Sequence, residues 1–310
     1  MNLRTVLVLG ASLAALVAAP TDAQQAPPPT VLTTHPLRGG AYWISGGRSN
    51  SNFIVGDKGV IVIDAQTTPG DARLLLSEIA KVTPKPVNMI VLTHGDPDHI
   101  GGLPAFPVGL EIIAHENVRA TVLVADADPN APPLYKPLFR LLATKYLPTH
   151  MISSGESTTL DGVRVQLIHT APAHTNGDVV VYLPAQKIVF GGDILLQQTD
   201  PYPVVHIGGS SAGWIQCVKA ILALDADIFV SGHGGVMSRA QVEAQLREVE
   251  QRRTQIQAMV VAGKSLADVE TALPEPGANP MFADFNHTVY DEIEKGDPPS
   301  VPPWVNLIHH

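Results

Sequence analysis

The stretch THGDPDHIGG, residues 93–102, places two histidines and two aspartates within six positions. It follows the apolar run VNMIVL, residues 87–92, which predicts a buried strand. Imidazole and carboxylate groups are common metal ligands. Their concentration at the end of a buried strand predicts a metal site.

The spacing of these side chains indicates two points of convergence. In an extended segment alternate side chains share a side, so His94 and Asp96 can converge on one point. Asp98 and His99 lie beyond the bend at Pro97 and can converge on another. Pro97 also favours an extended backbone at Asp96. One loop could therefore supply ligands to two metal ions.

Three further polar residues stand at the ends of predicted strands. They are His174 in APAHTNGD, Asp193 in VFGGDILL and His233 in FVSGHGG. Glycine or another small residue flanks each one and lets the backbone approach a ligand cluster closely. One histidine in such a place is usually structural. Three such residues after the first cluster predict that the ligand shells are completed from these positions.

The remaining chain alternates predicted strands and helices. Its 310 residues, 45% hydrophobic and 16% charged, can bury one large core or two small ones. Strands are predicted at residues 52–55, 59–64, 109–114, 163–168, 179–183, 188–190 and 228–230. Helices are predicted to start after the caps Thr68, Ser238 and Ser265, and at residues 116–124 and 212–224. Periodicity alone indicates mixed α and β structure.

With these motifs in order, the chain resembles the metallo-β-lactamase superfamily of hydrolases over about residues 52–235. The resemblance implies an α+β fold, a four-layer αββα sandwich with the metal site at one edge between the two sheets. It also implies two divalent metal ions, with zinc expected first and Mn²⁺ or Fe²⁺ as alternatives. By the same resemblance, His94, Asp96 and His174 hold one ion, Asp98, His99 and His233 hold the other, and Asp193 bridges them. Asp64 matches a buried acid that orients a ligating histidine.

One departure from the family pattern is Asp96, which stands where the family usually has histidine. Asp96, Asp98 and Asp193 bring three negative charges to two divalent ions. The net site charge is then about +1 in place of about +2. The metals should be weaker Lewis acids, and harder ions such as Mn²⁺ or Fe²⁺ should compete better with Zn²⁺.

The chemistry that suits such a site is hydrolysis of a carbonyl or phosphoryl centre. Two metals can lower the pKa of a shared water to about 7 and stabilise a developing oxyanion. Asp98 is the candidate catalytic residue, which would orient the nucleophile and later carry its proton to the leaving group. Cys217, the single cysteine, lies in an apolar helical pattern and is predicted to be a buried structural thiol.

Both ends and one internal segment are predicted to lie outside the regular core. Residues 1–23 read as a signal peptide, favoured over a membrane anchor because the apolar stretch is shorter than the roughly 20 residues a span needs. Residues 24–40 read as a Pro-rich leader, residues 41–270 as the hydrolase domain and residues 271–310 as a Pro-rich arm packed on it. Residues 125–148 fit either a lid over the pocket or a helical connector packed on the core.

Export to a periplasmic or secreted location favours a small-molecule substrate, with β-lactam hydrolysis the leading candidate. No Lys or Arg lies between Asp193 and Lys219 to bind a drug carboxylate, so Ser210 and Ser211 could serve, and His206 is a possible pocket residue. A formal charge of −9 argues against binding to nucleic acid. No membrane contact is expected after removal of the signal peptide. The oligomeric state stays open.

Other activities fit the same ligands. A lactonase, thioesterase or phosphoesterase would share every metal ligand and differ only in the pocket lining. A mononuclear iron oxygenase would lack productive occupancy of the second site. A non-catalytic metal-binding protein would bind ions without turnover.

Overall fold

Two β-sheets form the centre of the fold in a computed structural model, which describes residues 30–131, 133, 136–197, 202–206, 208–275 and 284–296. The first sheet follows chain order: β1 Thr33–Pro36, β2 Ala41–Ser45, β3 Ser51–Val55, β4 Val60–Ile63, β5 Val87–Val91, β6 Glu111–His115 and β7 His150–Ile152. The second has the order β13-β12-β11-β10-β9-β8, with β8 Glu156–Leu160, β9 Val163–Ile168, β10 Val180–Leu183, β11 Ile188–Phe190, β12 Ile228–Val230 and β13 Val236–Met237.

The helices begin where side chains cap them. The helices are α1 Pro69–Val82, α2 Pro97–Ile100, α3 Glu116–Ala127, α4 Lys136–Lys145, α5 Ser211–Leu222, α6 Arg239–Val261, α7 Leu266–Ala272 and α8 Phe285–Lys295. Thr68 accepts a hydrogen bond from Asp71 N at the start of α1. Ser238 and Ser265 form complete capping boxes at α6 and α7, so all three predicted caps are confirmed.

The fold has four layers with three hydrophobic cores between them, because side chains alternate between the two faces of each strand. In β4, Ile61 and Ile63 join the core between the two sheets, whereas Val60 and Val62 pack on the opposite face. That opposite face is covered by buried residues of α1, α3 and α4. Buried residues of α5, α6, α7 and α8 cover the outer face of the second sheet. The predicted αββα sandwich is confirmed.

The topology brings several strand ends to one edge of the second sheet. Strands β9 and β11 both pair antiparallel with β10, and β11 pairs parallel with β12. β9, β11 and β12 therefore run in the same direction and finish at a common edge. The segments that follow these three strands contain His174, Asp193 and His233 respectively. One edge of the fold thus collects polar residues that are far apart in sequence.

Several segments differ from the sequence-based expectation. Residues 33–36 of the predicted leader form β1, which pairs antiparallel with β2. Residues 136–145 of the predicted lid form α4, which buries Phe139 and Leu142 in the first core, so the helical connector is the correct alternative there. Within the predicted C-terminal arm, α8 buries Phe285 and Val289 in the second core.

Other predicted features lie outside the described residues. These are the signal peptide at residues 1–23, residues 24–29 of the leader, residues 132, 134 and 135 of the predicted lid and residues 276–283 and 297–310 of the arm. Among the helices that are described, none is both long enough and apolar enough to span a bilayer.

Candidate metal centre

The loop after β5 has the backbone geometry that its sequence predicts. Asp96 is extended, with φ −72° and ψ 142°, and Pro97 opens the single turn of α2. His94 and Asp96 therefore precede the turn, while Asp98 and His99 lie on it. All four are buried, which is unusual for charged or titratable side chains without partners.

His94, Asp96 and His174 form one group, here called the enclosed group, whose ligand atoms lie within 4.8 Å of one another. The Asp96 Oδ2 atom is 3.2 Å from His174 Nε2 and 3.8 Å from His94 Nε2. The side chains of Asp96 and His174 are 0% and 3% exposed. The histidine that follows β9 thus meets the first half of the loop, as predicted.

Asp98, His99 and His233 form the other group, here called the open group, by the same 4.8 Å criterion. The His233 Nε2 atom lies 3.2 Å from Asp98 Oδ2 and 3.4 Å from His99 Nε2. The His233 side chain is 31% exposed, so this group reaches solvent. Its members are also those predicted for one ion.

Asp193 lies between the two groups. Its Oδ1 atom is 3.1 Å from His99 Nε2, and its Oδ2 atom is 3.1 Å from His233 Nε2 and 3.6 Å from His174 Nε2. Glycine makes this position accessible, because a Cβ atom on Gly232 would lie 2.0 Å from Asp193 Oδ1. The carboxylate therefore has the position that a bridging ligand requires.

Contacts behind the cluster orient the histidine rings. Asp64, in the left-handed region at φ 61°, accepts hydrogen bonds from Thr93 N and Thr93 Oγ1 and lies 2.9 Å from His99 Nδ1. The Nδ1 atoms of His174 and His233 lie 2.9 Å and 2.8 Å from the backbone oxygens of Val204 and Arg48. Each of these three rings thus turns its Nε2 toward the cluster, which is how outer contacts fix ligating histidines.

The metal-free cluster concentrates carboxylates and therefore attracts protons. Burial alone would lower the pKa values of His174 and His233, but neighbouring carboxylates raise them to about 9 and about 10. Burial opposes ionisation of Asp98, yet the rings of His99 and His233 lower its pKa to about 2. His94 differs, because burial and the nearby His99 lower its pKa to about 4.

The spacing and the bonding of these atoms fit divalent metal ions. Two ligands bound at about 2.0–2.1 Å with tetrahedral angles lie about 3.4 Å apart, close to the 3.1–3.6 Å separations within the open group and to Asp193. His94 Nε2 and Asp98 Oδ1 are buried and have no hydrogen-bond partner among the described residues. A cation bound in the enclosed group would satisfy His94 Nε2, so this His/Asp cluster is able to bind metal.

The three residues predicted to line the substrate pocket do not share one pocket in the structure. His206 is fully buried, with Nδ1 2.8 Å from Asp96 Oδ2, so it lies behind the enclosed group. Ser211 is also fully buried, and its hydroxyl donates to Glu292 at 2.5 Å. Ser210 caps α5 and lines a cavity of about 360 Å³ with Arg253 and Glu292. These positions do not support substrate contact by His206 or Ser211.

Two further residues were missed by sequence reasoning. Thr93 links Asp64 to the cluster, because its hydroxyl also lies 3.0 Å from His94 Nδ1. Asp178 is buried and accepts hydrogen bonds from Thr175 N and Oγ1, which fixes the loop that contains His174. Both belong to stretches quoted in the sequence analysis, Thr93 to THGDPDHIGG and Asp178 to APAHTNGD. Cys217 is buried, and burial raises its pKa to about 11, as expected for a structural thiol.

Comparison with known families agrees with this geometry. The profile of the metallo-beta-lactamase superfamily matches residues 44–233, from β2 to the last predicted ligand. The chain belongs to this superfamily. Its members are generally hydrolytic enzymes, so the family and the arrangement of the cluster point to the same kind of chemistry.

Curated relatives within the superfamily differ in chemistry. The 2,4-dinitroanisole O-demethylase subunit alpha of Nocardioides sp. (strain JS1661) is 30% identical over 217 residues, 69% of this chain and 61% of that protein. The linear primary-alkylsulfatase of Pseudomonas sp. (strain ATCC 19151) is 27% identical over 63% of this chain and 43% of its own length. The acyl-coenzyme A thioesterase MBLAC2 of Gallus gallus is 27% identical over 52% of this chain and 64% of its own length. The chain spans less than two thirds of each relative.

Solved structures share the fold at low identity. The stereoselective inverting sec-alkylsulfatase Pisa1 from Pseudomonas sp. has a TM-score of 0.64 and 19% identity, over 80% of this chain and 46% of that one. A metallo-beta-lactamase from Pontibacter korlensis has a TM-score of 0.58 and 19% identity, over 71% of this chain and 99% of that one. The DIM-1 metallo-beta-lactamase has a TM-score of 0.54 and 20% identity, over 71% of this chain and 97% of that one.

Proposed function

We propose that this protein is an exported dinuclear metal hydrolase that opens a cyclic amide or ester, with β-lactams as the leading substrate class. The observation that carries the proposal is the position of Asp193 between two groups of His and Asp ligand atoms. When bound there, two divalent ions would lower the pKa of water and stabilise the negative charge that develops on a carbonyl oxygen. Zinc is the first candidate, and Mn²⁺ or Fe²⁺ are the alternatives.

Asp98 would move the proton in this reaction. Its side chain is 11% exposed and belongs to the open group, on the side from which substrate can approach. Its Oδ1 atom, which makes no hydrogen bond among the described residues, can accept a proton from the attacking water. As water adds to the carbonyl carbon and the bond to nitrogen or oxygen breaks, the same carboxylate can return the proton to the leaving atom.

A second candidate function is hydrolysis of an acyclic ester-type bond. The relatives support it, because their names describe an alkylsulfatase and an acyl-coenzyme A thioesterase. Such substrates would need the same ligands and the same proton transfer by Asp98. Only the surface around the cluster would differ, so this candidate is separated from the first by substrate preference.

A substrate panel tests both candidates. The full chain and its secreted form, reconstituted with Zn²⁺, Mn²⁺ or Fe²⁺, should be assayed on nitrocefin, lactones, acyl thioesters, phosphotriesters and alkyl sulfates. The expected result is two ions per chain and preferred turnover of nitrocefin or a lactone. Preference for thioesters or sulfates supports the second candidate. A single iron with oxygen-dependent turnover, or two ions with no turnover of any substrate, contradicts both.

Export is proposed from the segment at residues 1–23 alone. Expression of the full chain in a Gram-negative host, followed by fractionation and N-terminal sequencing, tests it. A mature periplasmic protein that begins near Gln24 supports export, and an intact cytosolic chain contradicts it.

A further inference from the structure

His206 has a fixed position behind the cluster. Its backbone N donates to His174 O at 2.5 Å, and its own carbonyl accepts from Gly209 N at 2.7 Å. The ring is fully buried. The first of these bonds joins His206 to the loop that contains His174, and the second fixes the turn that follows His206.

The ring of His206 contacts Asp96, the residue in which this chain departs from its family. Its Nδ1 lies 2.8 Å from Asp96 Oδ2, a normal length for a charge-assisted hydrogen bond. A carboxylate offers only acceptors, so the hydrogen must lie on His206 Nδ1. The same Oδ2 atom also lies 3.2 Å from His174 Nε2, so Asp96 contacts both rings through one oxygen.

His206 lies outside the ligand groups themselves. It belongs neither to these groups nor to the third set of atoms that could hold an ion among the described residues, which is His94, His99 and Asp193. Its ring centroid is 6.0 Å from that of His174, whereas His94 and His174 are 4.9 Å apart. The ring therefore contacts Asp96 from outside the sets of ligand atoms, although it reaches the same Oδ2 atom that His174 Nε2 contacts.

We propose that His206 is a positioning residue, which holds the Asp96 carboxylate in its metal-binding orientation and draws negative charge away from it. This inference rests on the proposed metal centre. A short Asp side chain at position 96 has rotational freedom, and the bond from His206 removes it. The bond should also reduce the charge that Asp96 donates to an ion, which is a smaller effect than its orientation, so loss of His206 should weaken binding in the enclosed group and leave the open group unchanged.

Replacing His206 tests this role through metal binding. In His206→Ala, chelator competition with Zn²⁺ and Mn²⁺ should show one ion bound about 10–100-fold more weakly and the other unchanged, as is typical for loss of an outer contact. His206→Asn should recover most of the affinity, because its amide nitrogen stands the same number of bonds from Cα as Nδ1. His115→Ala, which removes a buried imidazole that contacts Ser153 and His169, is the matched control and should retain both affinities.

A double-mutant cycle sharpens the test. In an Asp96→Ala background, His206→Ala should have no further effect on the affinity for either ion, because the carboxylate that His206 holds is gone. A folded His206→Ala protein with unchanged affinities, or full additivity in the cycle, overturns the inference. Neither outcome depends on turnover. Wild-type protein that binds two ions but hydrolyses nothing contradicts only the proposed function.

Discussion

The enclosed and open groups use the same ligand types but differ in exposure. Asp96 and His174 of the enclosed group have side chains that are 0% and 3% exposed. In the open group, Asp98 and His233 are 11% and 31% exposed. An ion in the enclosed group would be shielded from exchange, whereas an ion in the open group would meet water and substrate. If the proposed centre forms, we expect the open group to be the half that meets the substrate.

The two groups also differ in how they are held. A carboxylate, Asp64, contacts His99 in the open group. In the enclosed group an imidazole, His206, contacts a carboxylate, Asp96. Asp64 adds negative charge to His99, whereas His206 draws negative charge away from Asp96. The enclosed group should therefore hold its ion with less donated charge than its three ligands alone suggest.

Replacing Asp193 should affect the enclosed group and the open group alike. Its two oxygens lie beside histidines of both groups, so Asp193→Ala should lower the affinity for both ions and abolish turnover. Metal analysis of the folded variant after dialysis measures this. Asp225→Ala, at a largely exposed carboxylate, is the control and should retain two ions. Two ions in Asp193→Ala would rule out a bridging role.

Asp98→Asn should affect chemistry far more than folding. The amide keeps the shape but cannot accept the proton, so kcat should fall roughly 10²- to 10⁴-fold. The ion of the open group should also bind more weakly, and the ion of the enclosed group should not. Activity at saturating metal, together with the free energy of unfolding, separates these effects. Unchanged turnover in the fully metallated variant would remove Asp98 from the mechanism.

The pH dependence of metal binding should distinguish the groups. Metal requires neutral imidazole. At pH 7 the metal-free enclosed group has one protonated histidine, because the pKa of His174 is raised to about 9 while that of His94 is lowered to about 4. In the open group, the carboxylates of Asp193 and Asp98 outweigh burial, raise the pKa of His233 to about 10 and also raise the pKa of His99. Affinity should then rise with pH by up to about tenfold per unit in the enclosed group and more steeply in the open group.

Chelator competition at several pH values between 7 and 9 measures these slopes. His233→Ala protein reports the enclosed group, and His94→Ala protein reports the open group. The raised pKa values also stabilise the metal-free fold below pH about 6.5, and this stability is lost as the pH rises through about 9 to 10. The Tm of chelated protein should fall across that range, while the loaded protein should not change. Equal slopes in the two variants would contradict the assignment of protons.

Local sequence signals were sufficient for most of the ligand cluster. Pro97 set the extended backbone of Asp96, and glycines such as Gly232 gave the close approach that Asp193 needs. The contact of His206 with Asp96 joins positions 110 apart in sequence, and no local pattern encodes it. His206 was predicted as a pocket residue for that reason, although burial and its backbone bonds place it behind the ligands.

The elements that sequence reasoning missed have weak signals for physical reasons. β1 is a four-residue edge strand that ends at Pro36, and its ends are exposed. β8 is also an edge strand, ESTTL, with exposed alternate residues and few apolar ones. α4 was read as a lid or a connector because Pro and apolar residues obscure its periodicity. Only its buried Phe139 and Leu142 distinguish the two.

The smallest expected effect belongs to Asp96→His, which makes the enclosed group resemble the usual family pattern. The change raises the net site charge from about +1 to about +2, so bound water should become more acidic. The acidic limb of the pH-rate profile should move down by on the order of one pH unit. Imidazole also replaces a hard oxygen, so the preference should shift from Mn²⁺ toward Zn²⁺.

Asp96→Asn separates the two causes, because it removes the charge and keeps an oxygen ligand that can still accept from His206. It should shift the pH profile as Asp96→His does, without the gain in preference for Zn²⁺. Both measurements use metal-saturated protein, so loss of an ion cannot imitate either shift. If Asp96→His retains the wild-type pH profile and metal preference, Asp96 does not set the charge of the centre. The close approach of its Oδ2 to His174 Nε2, 3.2 Å, would then reflect packing alone.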